Sequence, residues 1–142
     1  MENSRNRHRV APIRVLLADD HPLFLDALEV LLGLDGDVEV IGRAADGAEA
    51  VDLALALRPD VVLMDVHMPV VDGVEAVRRL RSDLPALPIV MLSSSSAAED
   101  LERAHRAGAT SYLSKDAGGA VITAELARHV PPQPPLRTRS AA

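Results

Sequence analysis

Short apolar runs rich in β-branched residues alternate along the chain with segments whose apolar residues recur every three to four positions. Runs of the first kind predict buried strands, and segments of the second kind predict amphipathic helices. The predicted strands are 13–18, 38–41, 61–64, 89–92 and 111–113. The predicted helices are 22–34, 46–57, one that begins at Asp72, 99–107 and 121–129.

Five strands that alternate with five helices predict an α/β fold with an open parallel sheet covered on both faces. Right-handed crossovers leave few topologies, and the flavodoxin-like strand order 2-1-3-4-5 leads among them. In the first helix the spacing places Phe24, Leu28 and Leu31 on one face. Asp46 and Glu49 have the spacing of a capping box. Because ligands of such sheets bind beyond the carboxyl ends of the strands, the residues just past each strand are candidate site residues.

Composition narrows the class of protein. The formal net charge is −6, and the first 14 residues contribute +3, so the rest carries −9. An acidic body argues against binding to a phosphate backbone. There are no cysteines, no apolar stretch long enough for a membrane span, and no signal-peptide pattern. We therefore expect a cytoplasmic protein with a flexible basic arm at 1–12, one domain at 13–129 and a proline-rich tail at 130–142.

Polar residues follow four of the predicted strands. Asp19 and Asp20 follow the first strand, Asp65 the third, Ser93 the fourth, and Lys115 stands two residues past the fifth. Clustered carboxylates repel one another unless a cation joins them, and oxygen ligands with few protein donors suit Mg²⁺. A carboxylate beside Mg²⁺ can attack phosphorus, and an ammonium and a hydroxyl can hold the phosphoryl oxygens.

Each of these residues also has an ordinary structural explanation. Asp19 or Asp20 could cap the helix that starts near Pro22. Asp65 and Ser93 could be turn residues, and Lys115 could be solvated. However, the chain has a single lysine among 15 basic residues, and that lysine lies at a strand end. The combination favours a phosphoryl site over four unrelated structural roles.

The motifs resemble those of response-regulator receiver domains across residues 13–129. They are Asp19-Asp20-His21-Pro22, Met64-Asp65-Val66-His67-Met68-Pro69, Asp72-Gly73, Ser93 and Tyr112-Leu113-Ser114-Lys115-Asp116. The opening and closing motifs are similar to those of receivers that precede LuxR-type DNA-binding domains.

The resemblance implies a role for each site residue. Asp65 would be the phosphoacceptor and a Mg²⁺ ligand. Asp20 would bind Mg²⁺ directly, Asp19 mainly through water, and the backbone carbonyl of His67 would be the third protein ligand. Ser93 and Lys115 would bind the phosphoryl group. Tyr112 would be the aromatic residue that switches rotamer on activation. The side chains of His67 and Ser95 would tune the rate of hydrolysis.

One residue departs from the family pattern. Val70 stands where receivers usually carry Gly or Asn, and a β-branched residue is unfavourable wherever φ must be positive. Either the loop after Asp65 runs differently in this chain or it is strained.

The expected function is acceptance of a phosphoryl group from a histidine kinase or phosphotransfer protein, rather than enzymatic turnover of a substrate. One rival is the receiver half of a LuxR-type transcriptional regulator. Another is a hydrolase with an aspartate nucleophile, although His67 stands where that class has a second acid. A third is a receiver that acts only as a binding module.

We expect the output to be protein contact. The acidic body offers no helix to the major groove, and the 12 proline-rich residues after Val130 are too few for a helix-turn-helix. A phosphorylation-dependent homodimer fits this expectation, with no specific nucleic-acid and no membrane partner. Zinc at His21 and His67 is disfavoured because there is no cysteine and no third clustered histidine.

Overall fold

The computed structural model describes residues 11–94 and 98–132. The strands are β1 (Ile13–Ala18), β2 (Val38–Ala44), β3 (Val61–Asp65), β4 (Ile89–Ser93) and β5 (Ser111–Ser114). The helices are α1 (Pro22–Gly33), α2 (Gly47–Leu57), α3 (Gly73–Asp83), α4 (Ala98–Ala107) and α5 (Gly119–His129). All four strand pairs are parallel, and the order is β2-β1-β3-β4-β5. The predicted fold class and strand order are confirmed.

Alternate residues of each central strand enter different halves of the core. In β3, Val62 and Met64 pack under α2, α3 and α4, whereas Val61 and Leu63 pack under α1 and α5. This two-sided burial explains why β3 is apolar at each position before Asp65. The capping prediction for α2 also holds, because Asp46 accepts a hydrogen bond from the Glu49 backbone N–H at 2.8 Å.

Strand β2 is longer than predicted, because it continues three residues past the predicted end at Ile41. Gly42 and Arg43 pair with β1 after a register shift between Val15 and Leu16. Neither residue is typical of a strand, but β2 lies at the edge of the sheet, where polar residues are tolerated.

The apolar face predicted for α1 differs by one position from the face that is buried. The buried residues are Leu25, Leu28 and Leu32, whereas Leu31 is 45% exposed and Phe24 is half-buried. Both sets have helical spacing and share Leu28, so periodicity could not separate them. Within residues 11–94 and 98–132, every helix is too short or too polar to cross a bilayer.

Candidate functional site

Backbone hydrogen bonds bring the carboxyl ends of neighbouring strands together at one edge of the sheet. The N–H of Val66 donates to the carbonyl of Leu92 at 3.0 Å, and the N–H of Lys115 donates to the carbonyl of Ser93 at 2.9 Å. We call this region the acidic edge, defined by Asp19, Asp20, Asp65, Ser93 and Lys115. Asp19, Asp65 and Ser93 are buried, whereas Asp20 is exposed.

Lys115 joins two of the carboxylates. Its Nζ lies 2.5 Å from Oδ2 of Asp19 and 3.1 Å from Oδ2 of Asp65. Only 12% of the lysine side chain is exposed, and the two aspartate side chains are 1% and 6% exposed. The single ammonium therefore lies between two buried carboxylates that come from β1 and β3.

The charges at the acidic edge are not fully compensated. Burial raises the pKa of Asp65 above its usual range, although hydrogen bonds from Lys115 and from the His67 N–H oppose the increase. Burial lowers the pKa of Lys115, but its hydrogen bonds with Asp19 and Asp65 outweigh this, and the pKa lies above its usual value. Lys115 is thus firmly cationic, whereas ionised Asp65 is disfavoured by its surroundings.

Four side chains at this edge could share one cation. Ligand atoms of Asp19, Asp20, His21 and Asp65 all lie within 4.8 Å of one another. His21 is an addition to the predicted set: its Nδ1 lies 2.9 Å from Oδ1 of Asp19 and 3.2 Å from Oδ1 of Asp20. The oxygen-rich donors suit a hard ion such as Mg²⁺.

The capping alternative for the paired aspartates is wrong. Helix α1 begins after His21, whose side chain makes no capping hydrogen bond, and Pro22 occupies the first turn. Oδ1 of Asp19 instead accepts from the His21 backbone N–H at 2.9 Å. Asp19 therefore points back into the acidic edge rather than along the helix.

The loop between β3 and α3 is strained at Val70. Strain was one of the two alternatives that the sequence left open for this loop. Val70 has φ of 68° and is 80% exposed, and the Val71 N–H donates to the carbonyl of Pro69 at 2.7 Å across it. A tight three-residue turn with positive φ is rare for a β-branched residue. Tight packing surrounds the loop, because a Cβ at Gly47 would overlap the carbonyl of Val71.

A second close approach fixes the far end of this loop. The Gly73 N–H donates to the carbonyl of Val66 at 2.8 Å, and a Cβ at Gly73 would overlap the backbone carbonyl of Asp65. Asp72 caps α3 by accepting from the Glu75 N–H at 2.9 Å. The first turn of α3 is thus packed directly on the backbone of the candidate phosphoacceptor.

Of the two residues predicted to tune hydrolysis, His67 and Ser95, the structure describes only His67. The His67 N–H donates to Oδ1 of Asp65 at 3.2 Å, and its imidazole Nε2 lies 2.8 Å from Oδ2 of Asp100 in α4. Sequence reasoning missed Asp100, since nothing in the pattern connects positions 33 residues apart. Ser95 lies outside the described residues.

Tyr112 lies in β5 beside α4. Its ring packs against the core under α2, α3 and α4. Its hydroxyl is buried and has no hydrogen-bond partner among the described residues. A cavity of about 60 Å³ adjoins the residue, with Leu101 and His105 of α4 in its wall.

Three comparisons with known proteins agree with this geometry. The family model of the response regulator receiver domain matches residues 15–127. The chain is 40% identical over 103 residues to the response regulator protein VraR of Staphylococcus aureus, covering 72% of this chain and 49% of VraR. The chain therefore spans about half the length of the curated relatives it matches.

Solved structures give the same result. The signal receiver domain of NarL from Mycobacterium tuberculosis superposes with a TM-score of 0.79 at 35% identity, covering 83% of this chain and 95% of that one. The receiver domain of sensor histidine kinase PA1611 from Pseudomonas aeruginosa, which has a magnesium ion in its active-site cleft, gives 0.77 at 33% identity, with 84% and 98% covered.

The strand order and the match to the family model place this chain among signalling receiver domains. The chain belongs to the response regulator receiver family of two-component systems, and its structural neighbours include receivers of the LuxR family.

Proposed function

We propose that this chain takes a phosphoryl group onto Asp65 from a histidine kinase or phosphotransfer protein. The observation that carries the proposal is the ammonium of Lys115, held 3.1 Å from Asp65 Oδ2 and 2.5 Å from Asp19 Oδ2. A fixed cation beside a buried carboxylate stabilises charge that arrives with a phosphoryl group. Residues 13–129 form the proposed receiver unit, between an arm at 1–12 and a tail at 130–142.

The proposed metal is Mg²⁺. Asp20 and Asp65 would bind it directly, Asp19 would act through water, and the His67 carbonyl would be the third protein ligand. The clustering of the three carboxylates supports this assignment, as does the magnesium in the PA1611 receiver. When bound, Mg²⁺ supplies positive charge that offsets the carboxylates and the phosphoryl oxygens.

The proposed transfer is a direct displacement. An oxygen of Asp65 forms a bond to phosphorus while the phosphorus–nitrogen bond of a phosphohistidine breaks, and the histidine nitrogen keeps the electron pair. The Lys115 ammonium forms an ion pair with the phosphoryl oxygens, and the hydroxyl of Ser93 donates a hydrogen bond to one of them. The proposed role of His67 and of Ser95 is to tune the rate at which water removes the phosphoryl group.

The proposed output is a shift between two conformers through Tyr112. The buried Tyr112 hydroxyl has no hydrogen-bond partner among the described residues, which is unfavourable, and we expect the ring to change rotamer when Ser93 and Lys115 engage the phosphoryl group. The face made by α4, β5 and α5 would then pair with a partner, including a second phosphorylated copy of this chain. Sequence-specific contact with nucleic acid is not part of this proposal.

A second candidate is the receiver half of a LuxR-type transcriptional regulator. It is favoured by the 49% of VraR that this chain covers and by the similarity, at 31% identity, to a LuxR-family response regulator from Aurantimonas. Both candidates use the same chemistry at Asp65 and differ only in what the receiver controls.

The test is covalent labelling. Incubation with Mg²⁺ and acetyl phosphate is expected to add one phosphoryl mass to the wild-type chain and none to Asp65→Asn. Asp60→Asn, which changes a carboxylate at the other end of β3, is the matched control and is expected to label normally. Stoichiometric labelling of Asp65→Asn would overturn the assignment.

A further inference from the structure

An aromatic ring lies against the ammonium of Lys115. The centroid of the Phe24 ring is 4.7 Å from Lys115 Nζ, within the range of a cation–π contact. Phe24 is the only phenylalanine of the chain. The contact joins the first turn of α1 to the residue after β5, so the ring belongs to the surroundings of the acidic edge.

The ring packs against the edge of the core under α1 and α5, but it is not part of the fully buried set. The buried face of α1 is formed by Leu25, Leu28 and Leu32, and Phe24 is only half-buried beside it. Helix α1 begins at Pro22, two residues after Asp20, so its first turn starts at the acidic edge. The ring is therefore placed next to the site by the point at which the helix begins.

A ring face suits the task that Lys115 must perform. The ammonium lies between Asp19 and Asp65, yet it has to exchange a carboxylate partner for phosphoryl oxygens during transfer. Another carboxylate would compete with those oxygens as a directional, charged acceptor. The face of an aromatic ring attracts the cation without such competition and excludes water from one side of it.

We propose that Phe24 is a positioning residue for phosphoryl transfer, whose ring holds the Lys115 ammonium at the acidic edge while its carboxylate partners change. The proposal rests on the proposed function, because it assigns Phe24 a role in the phosphorylation of Asp65. In this role the attraction of the ring face for the cation matters, in addition to the volume that the ring fills.

The experiment exploits the single phenylalanine. Biosynthetic replacement with mono-, di- and trifluorinated phenylalanines changes only position 24, and it weakens the ring's attraction for cations stepwise at nearly constant size. The rate of phosphorylation by acetyl phosphate at saturating Mg²⁺ is expected to fall with each fluorine, by about three- to tenfold across the series. Thermal unfolding of the same samples is expected to stay constant.

Two sets of variants separate this role from packing. Phe24→Tyr keeps the ring and is expected to retain the wild-type rate, whereas Phe24→Leu keeps an apolar side chain and is expected to be slowed like the trifluorinated protein. In a Lys115→Met background, where the rate is low, fluorination is expected to have no further effect, since the cation is gone.

The outcomes distinguish the two proposals. Wild-type labelling at Asp65 with equal rates across the fluorinated series would overturn the role of Phe24 and leave the proposed function intact. Absence of wild-type labelling would remove the proposed function itself. A slope that persists in Lys115→Met would also contradict the inference, because the ring would then act through some other group.

Discussion

The two ends of the parallel sheet both contain partly buried charges, but they use them differently. At the amino ends of the strands, Arg81 donates to the carbonyl of Leu87 at 2.6 Å and to that of Gly108 at 2.8 Å. Arg14 donates through its side chain to the carbonyls of Arg58 and Leu57 at 2.7 and 2.9 Å. These guanidinium groups donate to backbone carbonyls in or next to the loops that precede β3, β4 and β5. At the acidic edge, by contrast, two buried carboxylates share one ammonium, and a third carboxylate, that of Asp20, lies in the same cluster.

We interpret the charges at the amino ends as stabilising and those at the acidic edge as serving the proposed phosphoryl transfer. Hydrogen bonds at the amino ends hold loops in place, and their arginine donors have no need to change partners. At the acidic edge ionised Asp65 is disfavoured, Val70 has a strained backbone and the Tyr112 hydroxyl lacks a partner among the described residues. Such local conflicts are typical of sites where a ligand or modification completes the arrangement.

The largest expected effect is on phosphorylation when the ammonium is removed. Lys115→Met is expected to slow phosphorylation by acetyl phosphate by about 100-fold, because a preorganised charge beside the transferred group is lost. The rate is measured by intact mass over time. Arg14→Met, which removes a cation at the amino ends, is the control and is expected to leave the rate of the folded protein unchanged. Equal rates for Lys115→Met and wild type would break the comparison.

Stability is expected to depend on pH differently at the two ends of the sheet. Arg81→Ala is expected to lower the free energy of unfolding by about 2–4 kcal/mol, because several carbonyls lose their donor at once. Lys115→Met is expected to lower it by about 3 kcal/mol at pH 7, because two buried carboxylates lose their cation, and by much less in acid, where Asp65 is protonated. Urea unfolding monitored by circular dichroism provides both values. A loss for Lys115→Met that is as large in acid as at pH 7 would contradict the division between the ends, whereas the loss for Arg81→Ala is expected to be the same at both.

Asp65→Asn is expected to stabilise the protein at neutral pH. The pKa of Asp65 is raised by burial, so its contribution to stability is present below the unfolded-state pKa and is lost as pH rises through the folded-state pKa. The neutral amide avoids this loss. We expect a gain on the order of 1 kcal/mol at pH 7 that vanishes below about pH 4. Asp60→Asn, whose carboxylate accepts from the Arg14 backbone N–H at 2.9 Å, should not stabilise.

The smallest expected effect is at Val70. Glycine adopts the observed φ of 68° without strain, so Val70→Gly is expected to stabilise the chain by about 0.5 kcal/mol after the extra entropy of the unfolded glycine is subtracted. Val70→Ala keeps the positive-φ strain of a side chain and serves as the control. Thermal unfolding of the three proteins measures the order. Destabilisation by Val70→Gly would indicate that the turn is not strained.

The sequence predicted the location of the site because parallel strands end at a common edge. Apolar runs that stop at Asp19, Asp65 and Ser93 mark that edge without any knowledge of long-range contacts. The strain at Val70 was also foreseen as one of two alternatives, since a β-branched side chain opposes positive φ.

The remaining features depend on contacts that a one-dimensional pattern does not encode. The burial of Leu25 rather than Phe24 is decided by how α1 packs against the sheet, and both registers have helical spacing. The approach of Phe24 to Lys115 joins residues 91 positions apart. The contact of His67 with Asp100 likewise depends on where α4 lies relative to the loop after β3.

The most direct test of the central claim is chemical trapping of the acyl phosphate. After incubation with acetyl phosphate and Mg²⁺, borohydride reduces an aspartyl phosphate to homoserine, and peptide mass spectrometry locates the reduced residue. The account predicts homoserine at position 65, with Asp19 and Asp20 unchanged. Homoserine at Asp19 or Asp20, or labelled protein that contains none at Asp65, would contradict it.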